Sequence, residues 1–382
     1  MQLKRPFLSE VQWARALALF AVLFVHSTST GMGASAPFSL PYTGYSILNI
    51  AGKIGTSTFI FLSSFILFYT YYPREFTTKL FTSFYKNRLL YILVPYIVFS
   101  IFYFALRYDI NGFQLTWPEI IAKFTDELLS GNAYTHLYFV YVSVQFYLMF
   151  PIFLYLFKRF EWLRKWALPL GIVIQWVWVL ANTHYFQVDE KGSVSLSYFM
   201  FYFMGAFLGV YYESFVAWLK DARRSRGVLI SVVALYLVMT VSYYYVTVMA
   251  RTGMKFYPSW VHELTWSTMA LTAGFLIFVV AHALKRFNVP RFKATLVEIG
   301  AVSFGIYLIH PYLLYWMREW LPGGAPLVFH GWQVLTFFVV FFGSWLIVRL
   351  VYDFVPASWI IFGKGNKVWG WKGRVKKEPR VI

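Results

Sequence analysis

Ten stretches of about 20 apolar residues recur along the chain, at about 11–30, 48–71, 89–107, 136–157, 166–183, 196–214, 228–248, 263–283, 296–317 and 332–353. Each is long enough to cross a hydrocarbon core about 30 Å thick. Within lipid the backbone must satisfy its own hydrogen bonds, and a helix does so inside a single segment. The chain is therefore expected to be all-α, a polytopic membrane helix bundle of about ten transmembrane helices. Charged residues make up only 13% against 59% hydrophobic, below the roughly 25% charged content of soluble domains. No polar segment is long enough to bury a core of its own. Residues 1–353 are expected to form one membrane domain, and residues 354–382 a basic cytoplasmic tail containing KGNKVWGWKGRVKKEPRVI, suited to resting on anionic lipid.

The net charge of +18 does not point to nucleic acid, because it sits in connections between apolar runs and not on the face of a folded polar domain. It points to orientation. One set of segments holds Lys4 and Arg5, then Arg74, Lys79, Lys86 and Arg88, then Lys158, Arg159, Arg164 and Lys165, then Lys220, Arg223, Arg224 and Arg226, then Lys285, Arg286, Arg291 and Lys293, and finally the tail. The opposite set holds only Lys53, Arg107, Lys123, Lys191, Arg251, Lys255 and Arg318. Cytoplasmic connections carry the excess of Lys and Arg, so both termini are expected in the cytoplasm. The N-terminus has a signal-peptide look, but Trp13 and Arg15 interrupt the apolar core and Ala34-Ser35-Ala36 lies well beyond it; it reads as an uncleaved first span. Cysteine is absent, which excludes disulfides, thiolate nucleophiles and cysteine-ligated zinc. Between Tyr108 and Thr135, WPEIIAKFTDELL predicts a short interfacial amphipathic helix opened by Pro118, a candidate roof over a site or a plain surface helix. No internal repeat and no broken midplane helix is visible.

The first run, VQWARALALFAVLFVHSTST, carries Arg15 and His26. Eleven helical steps of about 100° return to nearly the same face, about 16 Å further along. A cation and an imidazole on one stripe of a membrane helix are costly unless they face a cavity or partner, so a functional reading is the default. In the ninth run, SFGIYLIHP, Ser303, Tyr307 and His310 share a face and His310 reaches a depth similar to His26. Pro311 loosens the backbone beside it. His136, at the start of the fourth run, adds a third imidazole near the opposite surface from Arg15. Lys86 and Arg88 stand at the basic mouth of the third run, where phosphates bind. Trp117, Tyr134 and Tyr138 are suited to stacking on a sugar ring. Each residue also has a plain reading: Arg15 as a snorkelling cation, the intramembrane histidines as interhelical hydrogen bonders, His136 as solvated, Lys86 and Arg88 as orientation signals, Ser63 and Ser64 as packing residues, and the aromatics as an interfacial belt. No carboxylate or cysteine accompanies the histidines at a metal-ligand spacing, so no metal is expected.

Taken together, these motifs resemble the acyltransferase-3 family of integral membrane acyltransferases. Arg15 and His26 match its Arg-x10-His; FLSSF resembles its second-span serine motif, with Ser64 where glycine is usual; KNRLLYILVPY resembles its basic third-span segment, with Tyr91 where a second arginine is common; HLYFVYVSVQFYL and SFGIYLIHP resemble the fourth and ninth spans. The likeness covers residues 10–350 and is greatest to the Gram-positive branch that includes the acyltransferase of the intercellular-adhesion polysaccharide system. It implies an acyl-CoA-dependent O-acyltransferase of the bacterial plasma membrane, moving an acyl group, acetyl or succinyl, from cytoplasmic acyl-CoA to a hydroxyl of a glycan on the outer side. On that reading Arg15, Lys86 and Arg88 hold CoA phosphates, His26 is the base or transient acyl carrier, His310, Ser303 and Tyr307 assist at the reacting centre, and His136, Trp117 and Tyr138 meet the acceptor. The competing reading is a polysaccharide or small-molecule exporter using the same polar stripe as a path; the lack of repeats and broken helices weighs against it.

Overall fold

The computed structural model describes residues 5–364 apart from 113 and 324; Lys4 and the tail residues from Gly365 to Ile382, including Trp369 and Trp371, lie outside the described residues. The apolar runs form helices, and no strand occurs among the described residues. In chain order they are α1 (Ser9–Ala34), α2 (Leu40–Gly52), α3 (Gly55–Tyr71), α4 (Thr78–Arg88), α5 (Val94–Asn111), α6 (Trp117–Ser130), α7 (Tyr138–Arg159), α8 (Glu161–Lys165), α9 (Ala167–Ala181), α10 (Phe199–Val210), α11 (Tyr212–Lys220), α12 (Ala222–Arg251), α13 (Ser259–Ala283), α14 (Pro290–Glu319), α15 (Pro326–Phe354) and α16 (Trp359–Phe362). Among the described residues, nine helical segments are long and apolar enough to cross a membrane, or ten with the bent pair formed by 195–210 and α11.

Position in the bundle does not follow mean hydropathy, which is 1.5 in the α2–α3 segment and 1.9 in α12, because lipid accepts apolar side chains as readily as the protein interior does. The best window of the α2–α3 segment is 72% buried within the protein, that of α12 only 6%. Thus α3 belongs to the centre, where it packs on α10, and α12 presents nearly its whole surface outward while leaning on α13. α1 lies against α14, α2 and α3, and touches α13 and α15. A helix so enclosed can carry Arg15 and His26 without exposing them to lipid. Beside it, α14 and α15 are joined by a buried ion pair between Glu298 and Arg349, which the Trp345 indole also reaches.

Three features depart from the pattern of apolar runs. The second run is not one helix: it breaks at Lys53–Ile54, between α2 and α3. The sixth is bent by 82° between Val210 and Tyr212. Broken helices, which hydropathy did not reveal, are therefore present, because a glycine or a single lysine barely lowers the average over a long window. Third, the chain does not leave the bundle at 353: α16 folds back against α5 and α14, burying Phe362.

The amphipathic helix expected after residue 116 is α6. Thr116 and Glu119 form a capping box at its start. It is tied to α5 through Arg107 and Glu127 at 3.0 Å and through Phe104 and Phe124 at 5.2 Å between ring centres.

Candidate functional site

Two cavities lie within the bundle, one toward the Arg15 end of α1 and one toward the His26 end. The first, about 270 Å³, is lined by Arg15 and Gln12 of α1, Ser63 of α3, Asn87 and Arg88 of α4, Tyr147 of α7, and Ser303 and Tyr307 of α14. Neither Arg15 nor Arg88 forms an ion pair among the described residues. Arg88 lies over the Tyr147 ring at 4.9 Å, a contact that orients a guanidinium without neutralising it. Two uncompensated guanidiniums facing one space make a site for phosphate or carboxylate.

A third cation reaches this cavity from a segment that the sequence placed in the tail. Pro95 has no N–H to offer the carbonyl four residues back, that of Tyr91, and its ring crowds that carbonyl. The chain widens there into a π-turn over Leu89–Leu93. Gly363 fits against the Tyr91 carbonyl: a Cβ at this glycine would lie 2.3 Å from the oxygen, and its φ of +71° is one that other residues avoid. Lys364 follows directly, lines the cavity and stands over the Tyr91 ring at 5.5 Å. Partial burial pulls its ammonium pKa below the ordinary lysine value.

The second cavity, about 380 Å³, is lined by His26, Lys53, Thr56, His136, Tyr138, Lys191, Tyr198, Tyr243, Glu263, Trp266 and Tyr307. Tyr307 is the one site residue common to both linings, so its ring stands between the two spaces. Its hydroxyl donates to the His136 carbonyl, and it is only 3% exposed.

The three histidines meet at this divide. Ring centres of His26 and His310 are 5.1 Å apart, and those of His310 and His136 5.6 Å. His136 is not the solvated surface imidazole that its place at a span end suggested; it is 1% exposed, packed edge-on against Tyr103 and Tyr134, and neither ring nitrogen has a hydrogen-bond partner. His310 is fully buried. Pro311 cannot donate to the Tyr307 carbonyl four residues back, and Nδ1 of His310 takes that carbonyl at 2.7 Å. A carbonyl only accepts, so Nδ1 carries the proton and Nε2, which has no partner, presents its lone pair. On α1, Asn49 of α2 donates to the Val25 carbonyl at 2.8 Å and fixes the turn preceding His26.

Of the residues singled out from sequence, the structure brings together His26, His136, His310 and Tyr307 at the divide, Arg15, Arg88 and Ser303 in the first cavity, and Tyr138 in the second, where its hydroxyl donates to Thr56 at 3.3 Å. Ser303 donates to the Gly300 carbonyl at 2.9 Å. With their hydroxyl protons held by carbonyls, neither Ser303 nor Tyr307 is a free donor in this arrangement, and Tyr307 alone stands between the cavities. Two residues stand apart: Lys86 is exposed on α4 and lines neither cavity, and Trp117, 77% exposed, lies on α6, no part of which reaches a cavity. Sequence reasoning missed Gln12, Asn87 and Lys364 in the first cavity and Lys53, Lys191, Glu263 and Trp266 in the second. In the sequence these lysines are indistinguishable from loop charges, because nothing in their spacing sets them apart. Among the described residues, no group of three His, Asp or Glu side chains is disposed to hold a metal ion.

The fold and site define a helical membrane protein with a cavity bearing two unpaired guanidiniums and an aromatic-rich cavity, which meet beside an imidazole cluster. The chain belongs to the acyltransferase-3 family: the profile described as an acyltransferase domain matches residues 8–349. Membership supports acyltransferase activity in a multi-pass membrane protein. Among curated proteins, the chain is similar to the probable poly-beta-1,6-N-acetyl-D-glucosamine export proteins of Staphylococcus aureus strains MSSA476, MRSA252 and MW2, at 26% identity over 273 residues, covering 68% of this chain and 69% of each relative. No solved structure matches at comparable significance.

Proposed function

We propose that the protein is a bacterial cell-membrane O-acyltransferase that takes an acyl group, acetyl or succinyl, from cytoplasmic acyl-CoA and delivers it to a glycan hydroxyl on the far side. The observation that carries this reading is the pair of cavities meeting at Tyr307 and the histidines, one bearing unpaired guanidiniums and the other aromatic and hydroxyl groups. Both termini are taken as cytoplasmic from the distribution of Lys and Arg, which puts the Arg15 cavity toward the cytoplasm. Arg15, Arg88 and Lys364 then receive the CoA phosphates, with Lys86 adding positive charge outside the cavity. From Arg15 to His26 is about 16 Å along α1, the reach of an extended pantetheine arm.

Transfer to a hydroxyl requires a proton acceptor that works near neutral pH, and imidazole suits that task. His26 removes the hydroxyl proton as oxygen attacks the thioester carbonyl; the carbon–sulfur bond breaks, and the proton passes to the departing CoA thiolate. If His26 instead carries the acyl group, its nitrogen attacks first and CoA leaves before the acceptor reacts, giving ping-pong kinetics. His310, with Nε2 unprotonated and 5.1 Å away between ring centres, relays the proton in either case.

The export role named for the relatives, together with the 82° bend in the sixth span and the interruption of the second at Lys53–Ile54, favours a second reading, polysaccharide export. Acyl-CoA turnover by the purified protein in lipid nanodiscs separates the two. Turnover is expected, with His26→Ala lowering it at least about 100-fold, as loss of a general base does, and Arg15→Ala raising KM for the donor with little change in kcat. Absence of acyl-CoA binding and turnover would favour export.

A further inference from the structure

The second cavity is charged as well as aromatic, and its charges do not cancel. Lys191 pairs with Glu263 at 3.0 Å. Lys53, the other cation of the lining, forms no ion pair among the described residues; its ammonium reaches only the Tyr243 hydroxyl, at 3.3 Å. A partly buried ammonium with no carboxylate partner is costly unless something arrives to compensate it.

Its position is set by construction. Lys53 occupies the break between α2 and α3, flanked by Gly52 and Gly55, both pressed against α1: a Cβ at Gly52 would lie 2.5 Å from the Ala21 carbonyl oxygen, and one at Gly55 2.9 Å from that of Ala18. The break therefore sits on α1 just before His26. The Trp266 indole donates to the Lys53 carbonyl at 3.2 Å and holds the break from the other side. Gly55 and Thr56, at the start of α3, line the cavity beside Lys53. In the same lining, His136 is buried with both ring nitrogens unpartnered.

We infer that the substrate of this cavity is an anionic acceptor, a glycan carrying a carboxylate or phosphate seated on Lys53, with its reacting hydroxyl toward His26. The inference rests on the acyltransferase reading for which hydroxyl reacts, but the charge preference is a property of the cavity alone. The acceptor, and not the acyl group, supplies the negative charge, because Lys53 lies on the side of Tyr307 away from Arg15 and Arg88. A polycationic glycan, such as a glucosamine polymer with free amines, is disfavoured by the same lysine.

The test is equilibrium binding of three tetrasaccharides to the full-length protein in nanodiscs: hyaluronan tetrasaccharide with its glucuronate carboxylates, neutral chitin tetrasaccharide, and cationic chitosan tetrasaccharide. Hyaluronan tetrasaccharide should bind about tenfold more tightly than the neutral one, about 1.4 kcal/mol, and the chitosan oligomer most weakly. Lys53→Gln should abolish that preference and Lys53→Arg retain most of it. In the wild type, added salt should shrink it. Equal binding of the neutral and acidic sugars, an unchanged preference in Lys53→Gln, or no binding by any of the three overturns the inference. So does a Lys53→Gln effect confined to KM for a dicarboxylic donor such as succinyl-CoA, which would place the charge on the acyl group. Turnover of acyl-CoA in the same nanodiscs is read separately: charge preference without turnover sinks only the acyltransferase reading, and turnover without charge preference sinks only this one.

Discussion

At position 310 the imidazole is adjusted by its neighbour in sequence. Proline at 311 leaves the Tyr307 carbonyl without its backbone donor, and the His310 ring fills the gap through Nδ1. Alanine at 311 supplies an N–H that competes for that carbonyl and releases the ring to the other tautomer. Pro311→Ala is therefore expected to lower acyl transfer about tenfold or more, within the range set by general base catalysis, while the protein still folds and binds donor with wild-type affinity; kcat and KM measured separately check this. Tyr307 makes a different contribution. Its ring separates the two cavities, so under the proposed function Tyr307→Ala is expected to let water reach the acyl group and raise donor hydrolysis relative to transfer. The measurement is the ratio of free to acceptor-bound acyl product, and an unchanged ratio would rule out the barrier role. His26, His310 and the Arg15 register were legible from spacing alone, since helical period and chain direction settle which side chains share a stripe. Lys53 and Lys364 were not, because a lone lysine near the end of an apolar run looks like any orientation signal.

Helix ends and breaks do much of the positioning. The π-turn at Leu89–Leu93 and the glycine at 363 act together to bring Lys364 over the first cavity. Gly363→Ala would push a methyl group into the Tyr91 carbonyl and strain a backbone at φ +71°. It should thus displace α16 and raise the donor KM about as much as Lys364→Ala does, with kcat little affected; a KM change in one variant and not the other would separate α16 placement from the lysine's charge. These breaks escaped sequence reading for a physical reason: hydropathy averages over a membrane thickness, whereas a helix breaks on one or two residues. α6 shows the reverse case. Its capping box, proline and apolar period made the helix legible, but where it docks depends on the Arg107–Glu127 pair and the Phe104–Phe124 contact, and these keep Trp117 away from both cavities.

For the whole molecule, the placement of cationic segments leads to a direct topological expectation. The chain has no cysteine, so single cysteines introduce unique labels. Lys220→Cys, at the end of α11, should react with a membrane-impermeant maleimide only from the cytoplasmic side, and Ser39→Cys, before α2, only from outside; the opposite labelling would reverse the direction in which donor and acceptor approach. The sequence by itself determined an all-helical membrane bundle and the stripe joining Arg15 to His26, because lipid forces internal hydrogen bonding and the helical period is fixed by the backbone. Only the tertiary structure decided that His136 is buried beside His310, that two cavities meet at Tyr307, and that Lys53 and Lys364 turn inward while Lys86 and Trp117 do not. Those outcomes depend on how helices distant in sequence pack and where they break, and side-chain packing between such helices leaves no periodic trace in the chain.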